Sequence, residues 1–312
     1  MANTFKLRNC CPTCGNNKLI ELAEIDYADP RMMSYLSSSY RIDTRLFKSI
    51  AKGFSYRIMS CKDCELLFQA FIPSESFLSI IYDEYIDPDK SLSNKSLTED
   101  HSQMYLGDFS LIKKLLGKAS SEIKILDYAA GWGNWISQAH KVGFETFALE
   151  LSDHRKRHLE SAGIQVIDEA DLSDTYVDFV NCDQIFEHLT DPIATLCKIR
   201  ECLSDNGIVR ISVPHSFYPL KEISVLDSGP TRDIMIPDIL APLEHLNYFN
   251  RRSLKALAKS AGFELLKVSL PRYLGTTNYR GTSTKETLKN IFRPFYRRYF
   301  ANIVFLKKMV SK

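Results

Sequence analysis

Three groups of residues in this sequence have types and spacings that could do chemistry. The first is two cysteine pairs, Cys11-Pro12-Thr13-Cys14 and Cys61-Lys62-Asp63-Cys64. Each Cys-x-x-Cys puts two thiolates on one turn so that both reach the same ion, and two such turns complete a tetrahedral four-thiolate shell, the donor set of a closed structural Zn2+ site. Cys10 competes with Cys11 for one place, and the Cys-Pro-x-Cys-Gly context favours Cys11. A thioredoxin-like redox pair would require a strand–helix–strand context that residues 1–72 lack. The second group is Asp127, Ala129, Gly131 and Gly133, with Glu150 about twenty residues on. Glycines at 131 and 133 allow positive φ and close backbone approach to a ligand, and a carboxylate at the second position is where a doubly wound sheet receives a ribose. The third is Glu187-His188 and Glu244-His245. Histidine exchanges its proton near neutral pH, which suits it to general base work.

The elements that must position these groups follow from the patterning. The apolar run Ile123, Ile125, Leu126 stops at Asp127, and the glycine turn leads into a helix-compatible stretch from Asn134 to Val142. That is strand, tight turn, helix. Phe147–Glu150, Gly163–Ile167, Tyr176–Cys182, Ile208–Pro214 and Phe263–Leu266 read as further strands, with a helix over Arg252–Ala261 ended by Gly262. The fold class expected is α/β, a doubly wound, Rossmann-like, mainly parallel sheet preceded by a small zinc ribbon. Four regions are expected: a zinc ribbon at 1–72, a helical linker and acceptor-side segment at 73–121, the sheet domain at 122–270, and a basic amphipathic tail at 271–312. Between the cysteine pairs, Arg41–Ala51 is a candidate helix; Leu66–Phe71 is a strand, Tyr82 and Tyr85 lie on a helix, Ile86–His101 is a polar loop, and Leu106–Leu116 is amphipathic.

The turn also discriminates between cofactors. A pyrophosphate needs Gly-x-Gly-x-x-Gly, whereas here an acid precedes the turn and the third glycine is absent, an arrangement suited to a ligand with an amino group and a sulfonium. Asp-x-Ala-x-Gly-x-Gly resembles motif I of the class I S-adenosylmethionine (SAM) methyltransferases, with Ala129 in place of that family's first glycine. The resemblance extends through Glu187-His188-Leu189-Thr190-Asp191-Pro192, His245-Leu246-Asn247-Tyr248-Phe249 and Ala261-Gly262-Phe263-Glu264. With the ribbon in front, the chain is similar over roughly residues 10–270 to bacterial sugar C-methyltransferases and polysaccharide-cluster methyltransferases, although it ends before their further C-terminal domain. The resemblance implies that Asp127, Ala129, Gly131 and Gly133 hold the methionyl end of SAM and that Glu150 holds the ribose. It implies further that Asp168 or Asp171 meets the adenine, Asp171 being the one assigned, and that Asn181 lies under the cofactor. His245 is the first candidate base, His188 the second; Glu187 has either a chemical role or a place at the start of a helix. Tyr82, Tyr85 and Glu244 are the expected acceptor contacts.

Composition narrows the partners. A net charge of +2 over 312 residues gives no global reason for nucleic acid. Without an apolar N-terminal region or a long apolar run, the expected location is cytoplasmic, with possible peripheral attachment at the inner face of the membrane. Such attachment would come through Gly281–Lys312, which holds eight Lys or Arg and one Glu and so carries +7 while the rest carries −5. Its basic residues recur at 285, 289, 293 and 297 opposite apolar and aromatic positions, a helix that either lies on an anionic membrane or docks on its own protein. The function expected is SAM-dependent methylation of a small or glycan acceptor, a nucleotide-activated or lipid-linked sugar. The alternatives are an RNA methyltransferase gripping its substrate with ribbon and tail, and a non-catalytic scaffold on a degenerate SAM fold.

Overall fold

The computed structural model describes residues 4–86, 98–215, 223 and 239–309. In chain order its strands are Phe5–Leu7 (β1), Leu19–Asp26 (β2), Ser55–Cys61 (β3), Leu67–Gln69 (β4), Phe71–Pro73 (β5), Lys124–Tyr128 (β6), Glu145–Leu149 (β7), Gln165–Ile167 (β8), Val177–Asp183 (β9), Leu203–Ser212 (β10), Asn247–Tyr248 (β11), Phe263–Leu266 (β12) and Ile303–Lys308 (β13). The chain divides into two units that interleave in sequence. One comprises Met1–Asn94, Phe186–Ile193 and Pro214–Leu257, the other Lys95–Ile185, Ala194–Val213 and Ala258–Lys312.

The first unit is built on an antiparallel sheet in the order β11-β4-β3-β2, beside the β1–β5 pair. Its core is aromatic, with Phe5 5.2 Å from Tyr27 and Tyr27 edge-on to Phe47 at 5.6 Å. The helix Pro30–Ser39 begins where Asp29 accepts from the Arg31 N–H, with proline in its first turn, and buries Met32, Met33, Tyr35 and Leu36. The helix expected over Arg41–Ala51 is Thr44–Ile50, capped by Asp43. Tyr82 and Tyr85 lie on the π-helical turn Ile81–Tyr85, which continues the helix Glu75–Ile80. The strand expected over Leu66–Phe71 is two short strands, β4 and β5, which pair with different partners.

The second unit carries a seven-stranded sheet in the order β12-β13-β10-β9-β6-β7-β8. Every neighbouring pair from β10 to β8 is parallel, and β13 alone runs against its neighbours. Counted along this unit, the order from β8 is third, second, first, fourth, fifth, seventh, sixth. That is the doubly wound order with one antiparallel strand inserted, and it reverses between β6 and β9. Ligands in such sheets bind beyond the carboxyl ends of the strands at that reversal, which is where Asp127 and Asn181 face each other in register.

The sheet is covered in part by the helix Glu99–Leu116, longer than the amphipathic stretch expected at 106–116. Thr98 accepts from the His101 N–H, acids fill the first turn, Lys113 and Lys114 fill the last, and Gly117 ends it at φ 67°. The helix buries Phe109, Leu111 and Ile112 among Ile125, Trp135, Ile136 and Phe179. Of the polar stretch expected at Ile86–His101, residues 87–97 lie outside the described residues, and from Glu99 it is the helix just named rather than a loop.

The C-terminal segment departs from expectation. Thr284–Tyr299 is a helix, as the spacing predicts, running through Pro294. Beyond it, Ile303–Lys308 is not helical but is strand β13, hydrogen-bonded to β10 on one side and β12 on the other. The run Ile303-Val304-Phe305-Leu306 is β-branched and apolar, and three of these four side chains are buried. A periodicity reading centred on the preceding basic helix carries over this short run, which then completes the sheet instead of trailing from it.

Candidate active site

In the second unit, the turn after β6 has the backbone its residues require. Gly131 and Gly133 stand at φ 59° and 72°, and Ala129, in the place of a glycine, is at φ 60°. A side chain at Gly131 would meet nothing within 4 Å, so open space lies over that residue, whereas one at Gly133 would strike Leu159. Gly131 is therefore open to a ligand and Gly133 serves the packing of the helix Asp153–Ser161. The helix Asn134–Lys141 starts directly after Gly133.

Glu150 fastens this turn. Its Oε2 accepts from the Gly131 N–H at 2.8 Å, and its Oε1 accepts from the N–H groups of Leu151 and Ser152, both at 3.0 Å. The carboxylate is buried, with Arg155 at 3.7 Å.

Asp127 belongs to a chain of buried polar groups across the strand ends. Asn181 donates to Asp127 Oδ1 at 2.8 Å, and Arg210 Nη1 donates to Asn181 Oδ1 at 2.6 Å and to Asp183 Oδ1 at 3.0 Å. Burial pushes the Asp127 carboxyl up to about 7, against the Asn181 hydrogen bond and the Arg210 charge, which pull it down. Arg210 is itself buried, yet the carboxylates of Asp183, Asp108 and Asp127 raise it above the ordinary arginine range. Asp108 is paired with Arg297 at 2.6 Å. Of the two acids beyond β8, Asp168 is paired with Lys156 at 2.6 Å and Asp171 is exposed.

In the first unit, two other clusters form. Cys11, Cys14, Cys61 and Cys64 bring their four sulfur atoms within 4.8 Å of one another, and Cys10 is exposed outside the group. The two turns repeat one geometry. The Gly15 N–H donates to Cys11 O and the Glu65 N–H to Cys61 O, each at 2.9 Å, and these residues after the second cysteines sit at φ 70° and 60°. Among the thiols, Cys11 and Cys64 lie 3.4 Å apart; the hydrogen bond from Cys64 holds Cys11 down at about 5 while the same contact pushes Cys64 up. Four soft sulfur donors gathered this closely fit a tetrahedral zinc ion, which would let all four ionise together.

The second cluster is Glu187, His188 and His245, whose ligand-type atoms also lie within 4.8 Å of one another. The imidazole rings meet edge-on at 4.9 Å. His245 Nδ1 is 2.9 Å from Ile239 O, and a carbonyl can only accept, so Nδ1 is the donor and Nε2 is the nitrogen that holds the lone pair whenever the ring is neutral. His188 Nδ1 is 3.3 Å from the Tyr82 hydroxyl. Glu187 is buried, on the 3-10 turn Phe186–His188. Glu244 accepts from the Tyr40 hydroxyl at 2.8 Å, and Tyr85 packs edge-on to Phe77 at 6.3 Å. The structure thus brings Tyr82 to His188 and turns Tyr85 toward the apolar core of the unit.

Three residues to which the sequence reading gave no role of their own hold this cluster together. Arg8 is buried and donates to Asn247 Oδ1 at 2.8 Å, to Thr190 O at 2.7 Å and to the carbonyls of Leu189 and Leu246; burial lowers it to about 10. Asn247 Nδ2 donates to Phe186 O and Leu189 O, and Gln69 Nε2 donates to His245 O and Pro242 O, both at 2.8 Å. The Leu246 N–H closes the set on Glu187 O at 2.7 Å.

A family model described as a methyltransferase domain matches residues 101–268. No curated protein is matched by the sequence. Among solved structures the chain is similar to the plantazolicin methyltransferase BpumL in complex with SAH (TM-score 0.47, 12% identity, covering 72% of this chain and 89% of that one). It is also similar to the Burkholderia thailandensis 1,6-didemethyltoxoflavin-N1-methyltransferase (TM-score 0.45, 14% identity, 80% of this chain and 98% of that one). A third is an S-adenosylmethionine dependent methyltransferase from Mesorhizobium loti (TM-score 0.40, 16% identity, 64% and 96%). An open glycine turn with two buried acids lies at the sheet's reversal, and the matching family model spans more than half of the chain: the protein belongs to the methyltransferase-domain family and is an S-adenosylmethionine-dependent methyltransferase.

Proposed function

We propose that the protein methylates a small or glycan acceptor, a nucleotide-activated or lipid-linked sugar of surface polysaccharide biosynthesis, and that one structural zinc ion sits on Cys11, Cys14, Cys61 and Cys64. The acceptor class is supported by the resemblance of the ribbon, with Tyr82 and Tyr85 leading into the sheet domain, to sugar C-methyltransferases. SAM, when bound, supplies a methyl group on a positively charged sulfur, ready for in-line displacement. In this reading Asp127 meets the amino group, Gly131 lets the backbone approach, Glu150 adds ribose contacts to its backbone bonds, and Asp171 takes the adenine amine. Ala129, Gly133 and Asn181 shape the turn and orient Asp127.

The observation that carries the chemistry is the tautomer of His245. An acceptor hydroxyl, or a carbon beside a ketone, must lose a proton before it attacks, and His245 Nε2 is the nitrogen left basic by the Nδ1–Ile239 bond. His188 and Glu187 sit beside it to share the positive charge that develops, and Tyr82 and Glu244 are the proposed acceptor contacts. The test is transfer of tritiated methyl from SAM into fractionated cell extract. Label in the nucleotide-sugar or lipid-linked glycan fraction is expected, and His245→Ala should lose about 100-fold in turnover, the usual weight of a general base, with SAM affinity retained. Label in RNA, with binding that falls steeply with salt, would replace this reading with the RNA alternative. A His245→Ala enzyme as fast as wild type would remove that residue from the mechanism.

A further inference from the structure

The helix Thr284–Tyr299 is amphipathic in the reverse of the usual sense. Its buried residues are Asn290, Pro294 and Arg297. Asn290 donates to Arg280 O at 2.8 Å and Arg297 is paired with Asp108, so the helix is held to its unit by polar bonds. Its large apolar side chains, Leu288, Ile291, Phe292, Phe295, Tyr296 and Tyr299, are all exposed, and Phe292 reaches 67%. At about 100° per residue these six fall on one arc of roughly 140°, opposite the buried stripe. Lys289 and Arg293 flank the arc on one side and Arg298 on the other, while Lys285 falls within it, one turn before Leu288 and Lys289. A shallow depression in this face is lined by Lys285, Leu288, Lys289, Phe292, Arg293 and Tyr296.

An apolar patch of this extent on a soluble surface marks a docking site. We propose that it docks on an anionic lipid bilayer, the helix lying in the plane of the headgroups with its phenylalanines at the acyl boundary and its Lys and Arg at the phosphates. The charge decides the occupant. The one acid on the helix, Glu286, is already paired with Lys289, so the rim presents cations to whatever covers the face. A second copy set face to face would bring two predominantly basic rims together, with only Glu286 and Asp100 seen beside them and both already engaged, by Lys289 and by Thr282, whereas anionic headgroups supply the opposite charge along both flanks. Tyrosine and phenylalanine interleaved with basic residues are the composition of a helix that lies in the interface. No helix among the described residues is long and apolar enough to cross a membrane, so attachment is along the surface. This inference does not rest on the acceptor proposed above.

Sedimentation of the whole protein with lipid vesicles tests it. At low salt the protein is expected to bind vesicles containing phosphatidylglycerol about tenfold or more tightly than vesicles of phosphatidylcholine alone, and salt should weaken the binding. Phe292→Asp with Phe295→Asp should lower binding at least about tenfold while SAM affinity and circular dichroism stay as in wild type. Should that variant misfold, Lys285→Glu with Lys289→Glu, which changes only exposed side chains, should lower binding to the anionic vesicles in the same way. Failure to bind anionic vesicles, or binding unchanged in the variants, would overturn the proposal. Concentration-dependent dimerisation that Phe292→Asp and Phe295→Asp abolish, without vesicle binding, would overturn it too and give the face to a second copy.

Discussion

SAM affinity should depend on pH through Asp127, and the dependence follows from where that carboxyl is buried. Burial raises it to about 7, so in the free enzyme it is mostly protonated below neutrality, whereas the amino group of SAM is best met by the ionised form. With a pKa of about 7, roughly 3% of the free enzyme is ionised at pH 5.5 and roughly 75% at pH 7.5. Affinity should therefore rise about 25-fold over that interval, close to 2 kcal/mol, and binding near pH 6 should release nearly one proton to the buffer. Titration calorimetry in buffers of different ionisation enthalpy measures both quantities. Asp127→Asn keeps an oxygen that can accept from Asn181 and cannot titrate; its affinity should be lower at pH 7.5 and flat across the range. A slope of equal size in the variant, or binding without proton release in wild type, would refute the assignment of the amino-group contact to Asp127.

The same shift makes a stability statement of fixed sign. Asp127 binds its proton more tightly folded than unfolded, so the stability it contributes is fully present below about pH 4 and is lost as pH rises through about 7. Without SAM, Asp127→Asn should match wild type in thermal stability near pH 4 and exceed it at pH 8.

Metal analysis of protein purified without chelator should find one zinc per chain, and Cys61→Ser should lower that content and destabilise the four-stranded sheet whose β3 ends at Cys61; zinc-free wild type of full stability would sink this reading. Ala129→Gly and Glu65→Gly should each raise stability in denaturant by about 1 kcal/mol or less, because both residues sit near φ 60°, a conformation that costs a side chain roughly 1–2 kcal/mol before the entropy lost with glycine is counted. The Glu65–Arg252 pair given up is exposed and offsets little. Two neutral or destabilising results would show that neither turn is strained.

Much of the SAM-side geometry was readable because it is local. A strand, an acid, a glycine turn and a helix occupy consecutive residues, and the two Cys-x-x-Cys turns each encode their own knuckle. What could not be read is what distant residues do to one another. Nothing around Arg8 sets it apart, yet it supplies the buried cation that ties the loop carrying Glu187 and His188 to the strand after His245. Gln69 reads as an ordinary strand residue and is spent on the carbonyls of Pro242 and His245, and Asn247, read only as one position of a motif, is spent on the carbonyls of Phe186 and Leu189. Arg210 did leave a signal, since a cation inside Ile208-Val209-Arg210-Ile211 has no place in a buried parallel strand unless paired. Its partners come from β9 and, electrostatically, from the helix Glu99–Leu116, and no spacing rule links those segments.

The C-terminal segment shows why a basic periodicity is an incomplete guide. Cutting the chain before Gly281 would seem to remove only a membrane-facing helix and leave SAM binding intact. In the structure the same cut takes away β13, leaving β10 and β12 without the strand that joins them, and takes away Arg297, the ion-pair partner of Asp108. Asp108 also faces Arg210 electrostatically, and Arg210 orients Asn181, which orients Asp127. The segment therefore reaches the cofactor turn through four charged or polar side chains, and a truncation would weaken SAM binding for structural reasons whether or not the helix ever meets a lipid. Only substitutions on the outward face, which touch none of that chain, separate the helix's surface from its role in the sheet.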